Sequence, residues 1–270
     1  MRRPAARLAL LVLLAALSVT AAPARAGVAD RVAATFALMA SDFVKAFQPI
    51  EALVVSLEGR EIFLDVNAER GAQVGQEYVV FRKGDAFLHP LTGRQLGFYE
   101  DVLGHAQIVR VYPSFSAAIY QSLDGTPRPR ASDGARITRA RVRVAVTPVL
   151  DLTAVHADVR RVPYMIAAAL EGSKRFLVVD PLSVSDMFAS GSLRVEEMLA
   201  RPERSMRAAR TLEVAGWIVP MLLERRGVSY LDVTYLSAIT GTALISRRLP
   251  LVTASGTEEQ RFPWEPRPED

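Results

Sequence analysis

Apolar positions along the chain fall into three regimes. In residues 27–50, Val28, Val32, Phe36, Met39, Phe43 and Phe47 recur every three or four residues, which puts them on one face of an amphipathic helix. With Asp30, Asp42 and only Arg31 and Lys45 as cations, that helix is a poor ligand for anionic lipid, and its apolar face is expected to pack on the domain that follows. Over 51–123 the pattern changes to short alternating runs: Leu53–Leu57, Glu61–Val66, Glu77–Phe81, Ala106–Tyr112 and Phe115–Tyr120, with Glu58-Gly59 and Gly71–Gly75 as turns. Five short strands with no helix between them hide their apolar faces only by curling up, so a small SH3-like β-barrel is expected.

Residues 124–140 carry Pro, Gly and few large apolar side chains and read as a surface linker. In 141–252, strand and helix patterns alternate. Val142, Val144 and Val146 open with a strand, Pro163 sits in the first turn of a helix ending near Gly172, and Phe176–Asp180 is the next strand. Pro181 begins a helical stretch, with further helical patterns at 196–200 and 204–212. Ala215–Val219 returns to β structure, and Val228–Leu236 with Ala243–Ser246 form a hairpin. The fold class is therefore α+β: the small barrel followed by a mixed α/β sheet with helices on at least one face. Pro220 cannot donate to a ladder and suggests an edge or a bulge. Residues 253–270, rich in Pro and acid, read as a flexible tail.

Half of the residues are hydrophobic and 23% are charged, a balance that excludes disordered and collagen-like classes. The net charge of +4 suggests nucleic acid until it is located. Arg2, Arg3, Arg7 and Arg25 stand in the first 26 residues with no acid among them; removing these four from 33 basic residues leaves 29, equal to the 29 acidic ones. Residues 27–270 are thus neutral and lack the basic field and interleaved aromatics of a nucleic-acid binder. The positive start, the apolar run Leu8–Ala22 and Ala24-Arg25-Ala26 before Gly27 read as a signal peptide over 1–26. The run is shorter than the roughly 20 residues of a spanning helix, so cleavage is expected, and membrane contact only if the leader is retained. With no cysteine, there is no disulfide framework, thiol nucleophile or lipidated amino-terminal cysteine, and the expected location is the bacterial periplasm.

Candidate chemistry is sparse. Gly71–Gly75 lacks the Lys-Ser/Thr of a phosphate loop and reads as a turn. His89 and His105 are able to meet across a hairpin but bring no positioned carboxylate, a poor first shell for a metal. His156 near Asp151 and Asp158 fits a solvated loop. Glu196-Glu197 and Glu258-Glu259 are adjacent in sequence and point apart, so neither is an acid/base pair. The doublets Arg160-Arg161, Arg225-Arg226 and Arg247-Arg248 fit the ends of strands and helices, and Trp217 fits the core. No catalytic, cofactor-binding or metal-ligating residue is assigned, and no cofactor is expected.

Arg141-Val-Arg-Val-Ala-Val-Thr-Pro-Val149, Gly172-Ser-Lys-Arg-Phe-Leu-Val-Val-Asp180, Val214-Ala-Gly-Trp-Ile218 and Thr240-Gly-Thr-Ala-Leu244, in that order, resemble the TolB amino-terminal-like and CsgG-like group of bacterial envelope domains. Gly71-Ala-Gln-Val-Gly75, His89-Pro-Leu-Thr-Gly93 with Leu96-Gly97, and Leu103-Gly-His-Ala-Gln-Ile-Val109 are similar to the carboxy-terminal domain of the flagellar assembly protein FlgT, with the module order reversed. The resemblance implies a non-catalytic periplasmic adaptor or assembly factor that binds an envelope protein complex, whether flagellar, secretory or for outer-membrane assembly. Sheet edges would recruit the partner, and the oligomeric state is left open. The alternative is a small-ligand or glycan-binding module, with a pocket lined from 150–160 and 182–194.

Overall fold

The computed structural model describes residues 27–252 apart from Val155 and Ser192; the signal peptide read at 1–26 and the tail read at 253–270 lie outside them. Helix α1 (Val28–Ala46) begins with Asp30 in its first turn and ends with Lys45 in its last, charges that complement the helix dipole. Its buried face, Val32, Phe36, Met39 and Phe43, is the one its spacing predicts. None of the described helices is long and apolar enough to cross a membrane.

The chain then builds β1 (Glu51–Glu58), β2 (Glu61–Leu64), β3 (Glu77–Leu88), β4 (Gln95–Val111), β5 (Ser116–Ser122) and β6 (Gly134–Arg136). The pairing order β1-β2-β5-β4-β3-β6 returns to β1 and closes a barrel. Val54, Ile62, Leu64, Tyr78, Val80, Leu103, Ala106, Ile108 and Ala118 fill its interior. The sixth strand corrects the reading of 124–140 as a linker. Gly134–Arg136 pairs with β1 on one side and β3 on the other, so the barrel is not complete until this segment arrives. Gly134 has no room for a side chain, because a Cβ there would stand 2.3 Å from the Phe81 ring.

The second sheet has β7 (Val142–Val146), β8 (Leu150–Leu152), β9 (Phe176–Val178), β10 (Gly216–Arg225), β11 (Val228–Ser237) and β12 (Ala243–Pro250). Its order is β12-β11-β10-β7-β9, with β8 also on β10. Pro220 is not at an edge: it lies within β10 between residues 216–218, which pair with β7, and 221–223, which pair with β8. The missing N–H falls where one parallel neighbour has ended and the next has not begun. Among the described residues four more helices follow α1: α2 (Val162–Gly172), α3 (Pro181–Ala189), α4 (Val195–Ala200) and α5 (Pro202–Leu212). One face of the sheet packs with α1 and α2, joining Phe36 and Phe43 to Ile166, Ile218, Val233 and Tyr235. The other packs with α3, α4 and α5 around Trp217, Val184, Met198 and Ala209.

Helix α1 therefore does not pack on the barrel that follows it, as the sequence suggested. The barrel turns its core side chains onto one another, whereas the helix lies on β11 and β12 of the sheet, where Val233, Tyr235 and Leu244 are buried; burying each large aliphatic or aromatic side chain contributes about 1.5–3 kcal/mol. The α/β module is consequently discontinuous, with α1 supplied before the barrel and the rest after it. Arg175 closes the crossing. Its buried guanidinium donates to the carbonyl of Phe47, where the chain leaves α1, and to those of Thr138 and Ala140, where it returns. Burial lowers its pKa from a very high ordinary value.

Barrel and sheet also meet along a seam. Glu77 and Gln107 from the barrel face Ser237, Thr242 and Ala243 at the β11–β12 turn, and Gly75, with φ +92°, lies so close to the Leu244 carbonyl that an added Cβ would stand 1.9 Å from its oxygen.

Candidate interaction surface

Strands β3 and β4 outrun the barrel. The neighbour of β3 on its far side, β6, pairs only with Val79–Phe81, and the far neighbour of β4, β5, pairs only with residues 104–111. Between these limits Arg82–Leu88 and Gln95–Val102 pair, among the described residues, with each other alone, forming a two-stranded arm with both edges open there. Such edges template the addition of another strand.

Composition makes the arm unlike a solvated hairpin. Phe87, Leu88, Leu91, Leu96, Phe98 and Tyr99 are all exposed, from 43% to 90%, with Leu91 the most open at the tip. Scattered exposed apolar residues are ordinary; a run of six on one projecting element marks an interaction site. The arm is ordered from within. Phe87 meets Tyr99 edge-on at 5.3 Å, and the Lys83 ammonium lies 5.7 Å from the Phe98 ring centre. At the tip the His89 amide donates to Arg94, the Gly93 amide donates back to His89, and the His89 Nδ1 accepts the Leu91 and Thr92 amides. Gly93 takes φ +64° there, a conformation open to glycine.

Ion pairs fix the root. Arg82 forks onto the buried Asp133 at 2.9 and 2.7 Å, and Arg136 forks onto Glu100. Burial by itself would raise the Asp133 pKa, but the Arg82 fork and the Arg130 amide hold it below the usual carboxylate range.

The residues singled out from the sequence fall elsewhere or into structural roles. His89 is at the arm's tip and His105 in the barrel wall opposite Val79, so the two imidazoles are not brought together; burial lowers the His105 pKa. Among the described residues no group of three or more His, Asp or Glu is placed to hold a metal. His156 Nδ1 stands 3.5 Å from Asp151. Burial would raise the Asp151 pKa, but bonds from the Thr153 hydroxyl and the Thr153 and Ala157 amides, with His156, lower it. This is a capped loop. Glu197 pairs with Arg204, Arg160 with Asp158, Arg247 with Asp42 and Arg248 with Asp232. Arg226 and Gly227, both with positive φ, turn β10 into β11. Glu258-Glu259 lies outside the described residues. Trp217 is fully buried and donates its indole N–H to the Ser205 carbonyl.

The edges of the second sheet are β9, only three residues long, and β12, which carries Arg247, Arg248 and Pro250, residues that guard an edge against pairing. A groove of about 440 Å³ lies between Met187 and Leu193, in the second of the segments expected to line a ligand pocket, and Arg204, Arg207, Ala208 and Thr211 of α5.

No family model and no curated protein matches the chain. Among solved structures it is similar to the LpoB C-terminal domain from Salmonella enterica, 15% identical over 42% of this chain and 84% of that one, with a TM-score of 0.35. The LpoB C-terminal domain from Escherichia coli gives 16% identity over 43% and 85%, TM-score 0.35, and lipoprotein GNA1162 from Neisseria meningitidis 15% over 44% and 86%, TM-score 0.34. At these scores the likeness carries none of the functional reading.

Proposed function

We propose that the chain is a non-catalytic periplasmic adaptor that docks onto a protein complex of the cell envelope through the arm formed by β3 and β4. The observation that carries this is the arm's combination of two open strand edges with six exposed apolar side chains. In this reading the barrel is of the SH3-like kind and serves as a rigid mount, while the discontinuous α/β module holds it in place. The resemblance of 141–250 to TolB amino-terminal-like and CsgG-like domains, and of 53–140 to the FlgT carboxy-terminal domain, supports an envelope role. The leader over 1–26 supports the periplasm.

Crosslinked capture from the periplasm tests it. The whole chain is expected to recover one envelope complex, and a Leu91→Glu/Phe98→Glu variant to recover roughly tenfold less or worse, because apolar anchors dominate docking energies. Its melting temperature should be nearly unchanged, since exposed substitutions cost only about 0.5 kcal/mol. Equal capture by the variant overturns the reading. So does a clean monomer that saturably binds a sugar, the result expected of a ligand-binding module using the α5 groove.

A further inference from the structure

We infer that the end of the barrel from which the arm leaves binds an acidic, extended peptide segment, whose carboxylates are met by Arg60 and Arg128. This rests on the adaptor reading and names the chemistry of the partner. A surface cavity of about 430 Å³ opens at that end, with Arg60, Arg128, Gln121 and Ser122 around it and Leu57 as an apolar wall. Among the described residues, no ion pair or hydrogen bond engages the guanidinium of Arg60 or Arg128, the amide of Gln121 or the hydroxyl of Ser122. Most other prominent arginines of the barrel are matched: Arg82 to Asp133, Arg136 to Glu100 and Arg70 to Asp65. Two unmatched forks, an amide and a hydroxyl around one cavity form a donor set suited to carboxylates and peptide carbonyls.

The donors are held by backbone. Arg60 sits in the β1–β2 turn, which Gly59 makes with φ +61°, and its carbonyl accepts the Tyr120 amide at 2.8 Å. The loop carrying Arg128 is tied by its carbonyl to Arg82 at 3.1 Å and by the Arg130 amide to Asp133 at 2.8 Å. Glu58 and Glu61 flank Arg60 in the turn but neither lines the cavity.

Cavity and arm form one surface. Arg82, which positions the Arg128 loop, is the first residue of the arm and pairs with Asp101; Ser122 pairs with Gly104, two residues beyond the arm's return. A strand added to the arm's edge therefore runs toward the two guanidinium groups. An extended peptide fits both halves: its backbone and apolar residues go to the arm and its acidic residues to the cavity.

Anisotropy titration of the whole chain with a labelled peptide alternating Glu and Val, and with its Gln-for-Glu counterpart, tests the assignment. The acidic peptide is expected to bind about tenfold more tightly, a margin that shrinks with added salt. Arg60→Gln/Arg128→Gln should bring the two peptides level without lowering the melting temperature, and Arg60→Lys/Arg128→Lys should restore part of the margin. Leu91→Glu/Phe98→Glu should weaken the Gln peptide as well. Equal binding of the two peptides by the unaltered chain overturns the inference, as does an unchanged margin in the Arg→Gln variant. Arginine-dependent binding of phosphatidylglycerol vesicles or inorganic phosphate in preference to the acidic peptide also overturns it. If arm-dependent capture of an envelope complex survives any of these results, only the acidic-peptide assignment falls; if capture is lost, the adaptor reading falls on its own test.

Discussion

Arg175→Met is expected to lower the melting temperature by roughly 10 °C, the effect of about 3–5 kcal/mol on a domain of this size. Methionine approximates the volume of the aliphatic stem but cannot donate. The substitution leaves the buried carbonyl of Phe47 and the partly buried ones of Thr138 and Ala140 without their donor beside a side chain that is only 9% exposed, and an orphaned buried carbonyl costs about 1–3 kcal/mol. Arg175→Lys should recover only part of the loss, because one ammonium lacks the span of a guanidinium across chain segments on both sides of the barrel. The form of the transition is a further readout. If Arg175 ties α1 to the returning chain, hydrogen exchange in the variant should rise first at Phe47 and at 138–140. A uniform rise, or a melting temperature within about 2 °C of the unaltered chain, would mean that the crossing is held by the core behind it.

That staple was invisible in the sequence for a physical reason. The spacing of Val32, Phe36, Met39 and Phe43 fixes which face of α1 is apolar but not what covers it, and the covering strands lie more than ninety residues on. Nearest-neighbour reasoning sent the helix to the barrel. Gly134–Arg136 was missed for the opposite reason: Gly, Ala and Arg show no alternation, and a strand paired on both sides by backbone needs none. Where side chains decide the outcome, the reading was closer. The runs read as strands contain strands at Val142–Val146, Phe176–Val178, Gly216–Arg225, Val228–Ser237 and Ala243–Pro250, and Pro163 and Pro181 do stand in first turns.

The arm lies between these cases. Phe87-Leu88 before His89-Pro90 and Leu96 to Val102 after Gly93 are the two halves of a hairpin about that turn. Gly84 and Gly97 broke the apparent runs, and register shifts at 83–86 and 87–88 spoil strict alternation. Exposed apolar side chains have the same signature in sequence as buried ones. Only the absence of neighbouring strands separates them.

Glu77→Gln is expected to stabilise the protein by about 1–3 kcal/mol near neutral pH, the scale of an imperfectly satisfied buried polar group, with the gain vanishing toward about pH 4. Glu77 stands at the seam with one carboxylate oxygen bonded by the Ser237 hydroxyl at 2.9 Å and the other without a partner among the described residues. Burial raises its pKa, against the lesser opposing effects of the Ser237 and Thr240 hydroxyls. Because the folded-state pKa lies above the unfolded one, the contribution of Glu77 is most favourable below the unfolded value and is lost as pH rises through the folded value. Two other buried titratable groups do not imitate this. Burial raises the Tyr235 pKa far above the working range, and burial lowers that of His105, which takes stability away as pH falls below the ordinary imidazole value. Glutamine keeps the shape and the Ser237 bond without the charge, so thermal melts of both chains across that range isolate the carboxylate. A difference that stays constant with pH, or that grows toward acid, would show that Glu77 is not desolvated at the seam and that the barrel does not press there against the β11–β12 turn.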